Sequence, residues 1–224
     1  MPQIRPEIII KELYHVYNRG VDKKVIFPTQ KHYLRFVSAL RFFNTTTPIV
    51  IREYNAGIRS LNKGERLVDI CAFILMPTHY HLLLRPRIKN GLSLFMQKIG
   101  TGFTSYFNLT NDRSGVLFQG RYKIKHINKD NYARHILAYI PLNALDSEVP
   151  QWREEGIGDI RKAKKILLSH PWSSFSSYMS KKEFKDIINK NFIEEFFDNP
   201  LDYERFVLSR TIHEDIIDTG IESL

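Results

Sequence analysis

Two histidines, His79 and His81, are the first side chains in this sequence with the types and spacing to do chemistry together. They lie in Cys71–Pro86, CAFILMPTHYHLLLRP, where an apolar run meets Pro77-Thr78, then His79-Tyr80-His81, then three leucines. A continuous apolar run of this kind reads as a strand buried on both faces. Side chains alternate along a strand, so the two imidazoles share one face, about 7 Å apart at Cα, and Tyr80 takes the other. Two neutral imidazoles on a rigid backbone can share one divalent ion if a third ligand comes from elsewhere, and the open positions then suit a phosphate oxygen. The plainer reading is two ordinary hydrogen-bonded histidines near a strand end.

A second group falls on a helix. Asn128–Asn131 offers several helix caps, and a helix from about Tyr132 to Asn143 sets Tyr132, His135, Tyr139 and Asn143 on one stripe. Four polar or half-polar groups in a row are not how a helix usually meets a core. Just before it, Val116–Ile127, VLFQGRYKIKHI, has a strand pattern with Arg121, Lys123 and Lys125 on one face and Tyr122 and Ile124 on the other. Lysines in register commonly protect a sheet edge, but their place ahead of the polar helix favours phosphate contacts.

The elements that must position these groups follow from periodicity. Leu13–Asn18 alternates as a first strand, closed by Arg19-Gly20. A helix runs from Thr29 or Gln30 to Asn44, with Tyr33, Phe36, Val37, Leu40 and Phe43 on one stripe, and Thr45–Pro48 breaks it. Ile49–Glu53 reads as a short strand, and Asn55–Arg66 as a loop or hairpin tip, before the histidine strand. Gly91 opens a second helix with Leu92, Phe95, Met96, Ile99, Phe103 and Phe107 on a core-facing stripe, and Thr110–Gly115 is a turn. The order strand, helix, strand, strand, helix, strand, helix predicts an α+β, ferredoxin-like antiparallel sheet with helices packed mainly on one face. Beyond Asp146 the chain turns polar. Arg161, Lys162, Lys164 and Lys165 fall in a helix, HPWSSFSSY at 170–178 is turn-rich and aromatic, and the rest forms one or two acidic amphipathic helices. The expected division is a domain over 1–150 and a basic, then acidic, helical extension over 151–224 packed on it.

Composition narrows the function class. The 224 residues carry a net charge of +9, distributed as −5 over 181–224 and +14 over 1–180. A strongly basic body points to a polyanion, most simply nucleic acid, although an inert basic surface would look the same. One cysteine, Cys71, inside the apolar strand, excludes an intramolecular disulfide and CxxC zinc spacing. With no apolar run of signal-peptide or membrane-spanning length, the expectation is a soluble cytoplasmic protein with no membrane partner.

Four stretches, MPTHYHLLL, GVLFQGRYKIKHI, HILAYIPLN and HPWSSFSSY, in that order and with HVYNRG before them, resemble the single-tyrosine HUH transposases. The similarity covers roughly residues 10–180 and is nearest to the branch associated with repetitive extragenic palindromes. It implies an HUH endonuclease fold that nicks single-stranded DNA, often beside a hairpin, and rejoins it as a strand transferase. It also implies Mg²⁺ or Mn²⁺ held by His79, His81 and Asn143, and Tyr139 as a nucleophile forming a 5′-phosphotyrosine. Tyr132 and Tyr106 compete for that role but suit packing better.

For DNA contacts the shared motif points to Gln119 and Arg121, with bracing of the tyrosine helix as an alternative; Lys123, Lys125, Arg134 and His135 are further candidates, and His135 could instead assist as a base or be a half-buried surface histidine. Trp172 and Tyr178 suit a core edge or base stacking. The family includes monomers and homodimers. This chain departs from its pattern in having Asn143-Ala144, where a proline commonly follows the Asn, and Pro141 two residues after Tyr139. A proline inside a helix removes a hydrogen bond and crowds the carbonyl four residues back, here that of Leu137. Two other classes remain as alternatives: a hairpin-DNA-binding protein with the fold but dispensable catalysis, and an RNA-binding ferredoxin-like module, which would carry paired aromatics on its central strands.

Overall fold

The computed structural model describes residues 6–48, 64–179, 184 and 186–212. Its centre is a four-stranded antiparallel sheet in the order β2-β3-β1-β4, from β1 (Leu13–Arg19), β2 (Val68–Met76), β3 (His79–Pro86) and β4 (Lys123–Ile127). The helices are α1 (Gln30–Phe42), α2 (Gly91–Thr110), α3 (Asp130–Leu142), α4 (Ile160–Ser169) and α5 (Pro200–Ser209), with shorter turns between them. This is the expected α+β, ferredoxin-like sheet. No helix among the described residues is long and apolar enough to cross a membrane.

The histidine stretch is two strands, not one. Pro77 and Thr78 form a two-residue turn, and Met76 pairs with His79 across it. Proline has a fixed φ and no N–H for a ladder, and the freed carbonyls at the turn are used elsewhere: Pro77 O accepts from the N–H groups of Ile26 and Phe27, and Thr78 O from Gly20. The sequence gives the right element order with a different second strand. The strand expected at Ile49–Glu53 lies outside the described residues, as does most of the loop at Asn55–Arg66.

The strand expected over Val116–Ile127 is also shorter, beginning at Lys123. Gly115 and Gly120 have φ of +87° and +76°, a left-handed backbone that ends strand pairing and that glycine adopts without strain. Gln119 and Arg121 therefore lie in the connection before β4. Here Phe118 bridges Gly20, and Gln119 N–H donates to Arg19 O at 2.9 Å.

Alternation divides the sheet into two faces. Tyr14, Val16, Tyr80 and Leu82 point towards α1 and α2, where Phe36 meets Tyr80 at 5.0 Å and Phe103 at 5.1 Å between ring centroids. His15, Tyr17, His79 and His81 point the other way, towards α3. Ile136, Leu137 and Ile140 of α3 are completely buried, and burial of an aliphatic side chain contributes roughly 1.5–3 kcal/mol.

The C-terminal segments cover the exposed edge of β2. Phe73 N–H donates to Ser174 Oγ at 3.0 Å, Leu75 N–H to Trp172 O at 2.9 Å, and Asn189 N–H returns to Ile70 O at 2.8 Å. An uncovered edge strand is a template for aggregation, and the 170–178 stretch closes it. Trp172 stacks on Tyr33 at 4.8 Å, and Tyr178 Oη donates to the Cys71 carbonyl, so both residues are core-edge packing. The basic residues at 161–165 fall within α4 as expected.

Pro141 leaves α3 helical to Leu142, followed by a 3-10 turn over Asn143–Ser147. Its missing N–H would have gone to Leu137 O. That carbonyl instead accepts from Tyr203 Oη of α5 at 2.9 Å, and Tyr203 is buried.

Candidate active site

The register aligns the polar groups in rows across the sheet. Lys123, Tyr17, His81 and Ile74 are successive partners on β4, β1, β3 and β2, with Lys125 opposite His15 in the next row and Arg19 opposite His79. The His79 and His81 rings are 5.2 Å apart at 88°. Tyr139 of α3 stands edge-on over them, 5.4 Å from His81 and 5.9 Å from His15. Asn143 lies one turn on, on the same side of the chain. Of the residues anticipated from sequence, the structure thus brings together His79, His81 and Tyr139, while Asn143 is held to the Tyr139 carbonyl.

His15, which no local sequence signal singles out, belongs to this group. Its Nε2 is 2.9 Å from Nδ1 of His81, and both rings are fully buried. His81 Nε2 and His15 Nδ1 have no hydrogen-bond partner among the described residues. A buried polar atom left unpaired costs about 1–3 kcal/mol, so its persistence calls for a reason. If His81 donates from Nδ1 to His15, its Nε2 lone pair is presented to the site, as in a metal ligand oriented from behind. His79 is held alike, its Nδ1 3.0 Å from Thr78 Oγ1, which leaves Nε2 outward.

Among the described residues no three His, Cys, Asp or Glu side chains group as a metal cluster, and the third ligand implied by the resemblance is an amide. Asn143 has one. Its Nδ2 donates to the carbonyls of Tyr139 (2.8 Å) and Ile140 (3.2 Å), which fixes the direction of Oδ1. Two imidazole nitrogens and an amide oxygen are a donor set that could hold a divalent ion with open positions.

The electrostatics keep the imidazoles neutral. Burial pulls His15 down to about 3, with Lys125 and His135 adding to the effect. Burial also lowers His79 to about 4 against the opposing pull of Asp146, and His81 well below the usual range. Tyr139 goes the other way: burial pushes its phenol up to about 12, while Arg153 and Asn143 hold it back.

Arg153, which no sequence signal marked, sits over the Tyr139 ring at 5.4 Å and over Trp152 at 4.6 Å. Its Nε and Nη2 donate to Asp146 at 3.1 and 3.0 Å, and Nη2 also reaches Asn143 Oδ1 at 3.3 Å. Trp152 Nε1 donates to the same carboxylate at 2.6 Å.

The anticipated DNA-contact residues are dispersed. Lys123 and Lys125 lie on the site face, their ammonium groups 5.7 Å from the Tyr17 ring and 4.9 Å from the Tyr132 ring. Arg121 is exposed, and Gln119 Oε1 accepts from Arg19 Nε at the end of β1 rather than bracing α3. Arg134 packs between Phe197 and Phe206, at 4.7 and 5.2 Å, away from the histidines. His135 is stacked between Tyr132 and Tyr139 at 6.3 and 6.4 Å, and burial lowers it to about 4. It is a neutral ring at pH 7.

No family model matches the chain, and no curated protein matches it. Its structure is similar to that of a REP-associated tyrosine transposase bound to a REP hairpin, with a TM-score of 0.53 and 17% identity over 84% of this chain and 92% of that one. A transposase candidate from Deinococcus radiodurans R1 aligns over 62% of this chain and 95% of that one at 15% identity, with a TM-score of 0.35, too low to argue from. At these identities the likeness concerns architecture, and the chain has the fold of the REP-associated tyrosine transposase.

Proposed function

We propose that the chain is a metal-dependent single-stranded DNA nickase and strand transferase, a transposase of the single-tyrosine HUH type, with Tyr139 as nucleophile. The observation that carries the reading is the position of the Tyr139 ring 5.4 Å from His81, above the His79–His81 pair. The His81 ring it stands against has a buried Nε2 with no hydrogen-bond partner among the described residues.

His79 and His81, through Nε2, and Asn143, through Oδ1, would hold Mg²⁺ or Mn²⁺. When bound, the ion supplies Lewis acidity to a non-bridging oxygen of the scissile phosphate. The chain's own groups do the rest. His15 keeps the His81 proton on Nδ1. α3 carries Tyr139, and Asn143, which caps the helix and bonds back to the Tyr139 carbonyl, follows one turn on, so nucleophile and ligand are held together. Tyr139 Oη gives up its proton and bonds to phosphorus as the bond to the 3′ oxygen breaks, and that oxygen leaves as a 3′-hydroxyl. The phosphodiester energy is kept in the 5′-phosphotyrosine, so rejoining requires no nucleotide cofactor.

Lys123 and Lys125 on the same face, and Arg121 at its end, suit the backbone of the strand. A hairpin partner is supported by the neighbour's complex with a REP hairpin and by the basic body. The test is incubation with a single-stranded hairpin oligonucleotide and Mg²⁺ or Mn²⁺. Wild type should give an adduct that survives SDS, while Tyr139→Phe and metal-chelated wild type should give none. Chelator-insensitive cleavage would contradict the metal assignment.

A further inference from the structure

The Asn143 oxygen that the proposed site needs is already engaged. Nδ2 of the amide is committed to the carbonyls of Tyr139 and Ile140, so the amide cannot turn over without losing both bonds, and Oδ1 faces Arg153 Nη2 at 3.3 Å. The guanidinium is itself anchored. Asp146 takes two of its donors, Trp152 Nε1 donates to the same carboxylate, and the Trp152 ring packs against the guanidinium at 4.6 Å. Its side chain keeps 29% of its exposure, so an anion arriving from solvent can reach it.

We propose that Arg153 is a gate on Asn143 that couples metal loading to arrival of a phosphate, an inference that rests on the reading of His79, His81 and Asn143 as the ion's ligands. A divalent ion on Asn143 Oδ1 would share that oxygen with the Arg153 nitrogen 3.3 Å from it, and like charges drawn to one oxygen repel in a partly buried site. Asp146, paired with Arg153, offsets part of this repulsion without removing it. A phosphate supplies the missing negative charge: its oxygens can face the ion on one side and the planar donors of Arg153 on the other, the geometry for which arginine is suited. The site then takes up its ion well only with nucleic acid present, and by linkage the ion strengthens nucleic-acid binding by the same factor. A free enzyme of this kind would stay largely unloaded and so avoid nicking out of place.

The test measures Mn²⁺ binding by loss of the free-ion EPR signal, using the full chain with and without a single-stranded hairpin oligonucleotide at low salt, where basic contacts bind it regardless of sequence. In wild type the oligonucleotide should tighten Mn²⁺ binding at least about fivefold. Arg153→Gln should tighten binding to the DNA-free protein by about the same factor and abolish most of the gain from DNA. Asp146→Asn combined with Arg153→Gln should keep that tightening. If the double variant reverts to wild-type affinity, the freed Asp146 carboxylate was the attractor and the gate is wrong.

Equal Mn²⁺ affinity with and without DNA in wild type overturns the gate even if the variants fail to fold, and so does an Arg153→Gln protein that binds Mn²⁺ no better than wild type. Failure of wild type to bind Mn²⁺ in either condition would overturn the metal site itself, and the gate with it. Mn²⁺ binding that is insensitive to Arg153 would leave the metal site standing and remove only the gate.

Discussion

His15 Nε2 and His81 Nδ1 lie 2.9 Å apart between neighbouring strands, both rings fully buried. That bond decides which nitrogen His81 offers to the site. His15→Phe keeps the ring volume and removes the bond, leaving His81 free to turn or change tautomer. Loss of an orienting partner typically weakens metal affinity about 10–100-fold. Mn²⁺ titration should show a fall of that size while the far-UV spectrum stays unchanged. An affinity within twofold of wild type would deny His15 this role.

The same burial makes stability depend on pH. His15 and His135 are lowered to about 3 and about 4, His79 to about 4, and His81 well below the usual range, whereas unfolded histidines titrate near the ordinary value of 6.5. Between pH 6.5 and about 4 the unfolded chain binds more protons than the folded one, so stability is full above 6.5 and is lost as pH falls through that window. Each such histidine contributes a slope of up to about 1.4 kcal/mol per pH unit. Chelator-treated protein should show a melting temperature that is flat from pH 7 to 8 and falls steeply from 6.5 to 4. His135→Phe should reduce the slope by about one histidine's share.

Tyr203 and Pro141 form a compensating pair across α3 and α5. Tyr203→Phe strips the Leu137 carbonyl of its donor, and an unpaired buried carbonyl costs about 1–3 kcal/mol. Pro141→Ala restores an N–H that can reach the same carbonyl. Tyr203→Phe should therefore cost clearly less in the Pro141→Ala background than in wild type. Additive effects in a denaturation double-mutant cycle would break the pairing.

The phenol of Tyr139 is pushed up to about 12, and no nearby imidazole is basic enough to accept its proton at neutral pH. Adduct formation at saturating metal should then rise with pH, with a logarithmic slope near 1 between 6.5 and 8.5 and no plateau in that range. A plateau with an apparent pKa between 6 and 7 would assign the proton to a histidine base instead.

Much of this was legible in the residues, though unevenly. Alternation around His79-Tyr80-His81 places both imidazoles on one face because strand periodicity is local. The i+3 and i+4 steps likewise align Tyr132, His135, Tyr139 and Asn143. The hairpin at Pro77-Thr78 was obscured because an apolar run on both sides of a turn looks like one buried strand. Arg121 fell out of β4 because two left-handed glycines, not the polar pattern, decide where pairing starts. His15 was hidden by cross-strand diagonal packing, which depends on register rather than spacing. Arg153 carried no local signal at all: its place follows from the 3-10 turn after Asn143, which brings a residue ten positions on back over the phenol.

Nuclease digestion of the covalent adduct, followed by mass spectrometry of its peptides, puts the central claim to the most direct test. The account predicts one nucleotide-bearing peptide, HILAYIPLNALDSE or a fragment of it, with the phosphate on Tyr139. A phosphate on Tyr17, Tyr132 or any other side chain, or an adduct that persists in Tyr139→Phe, would contradict it.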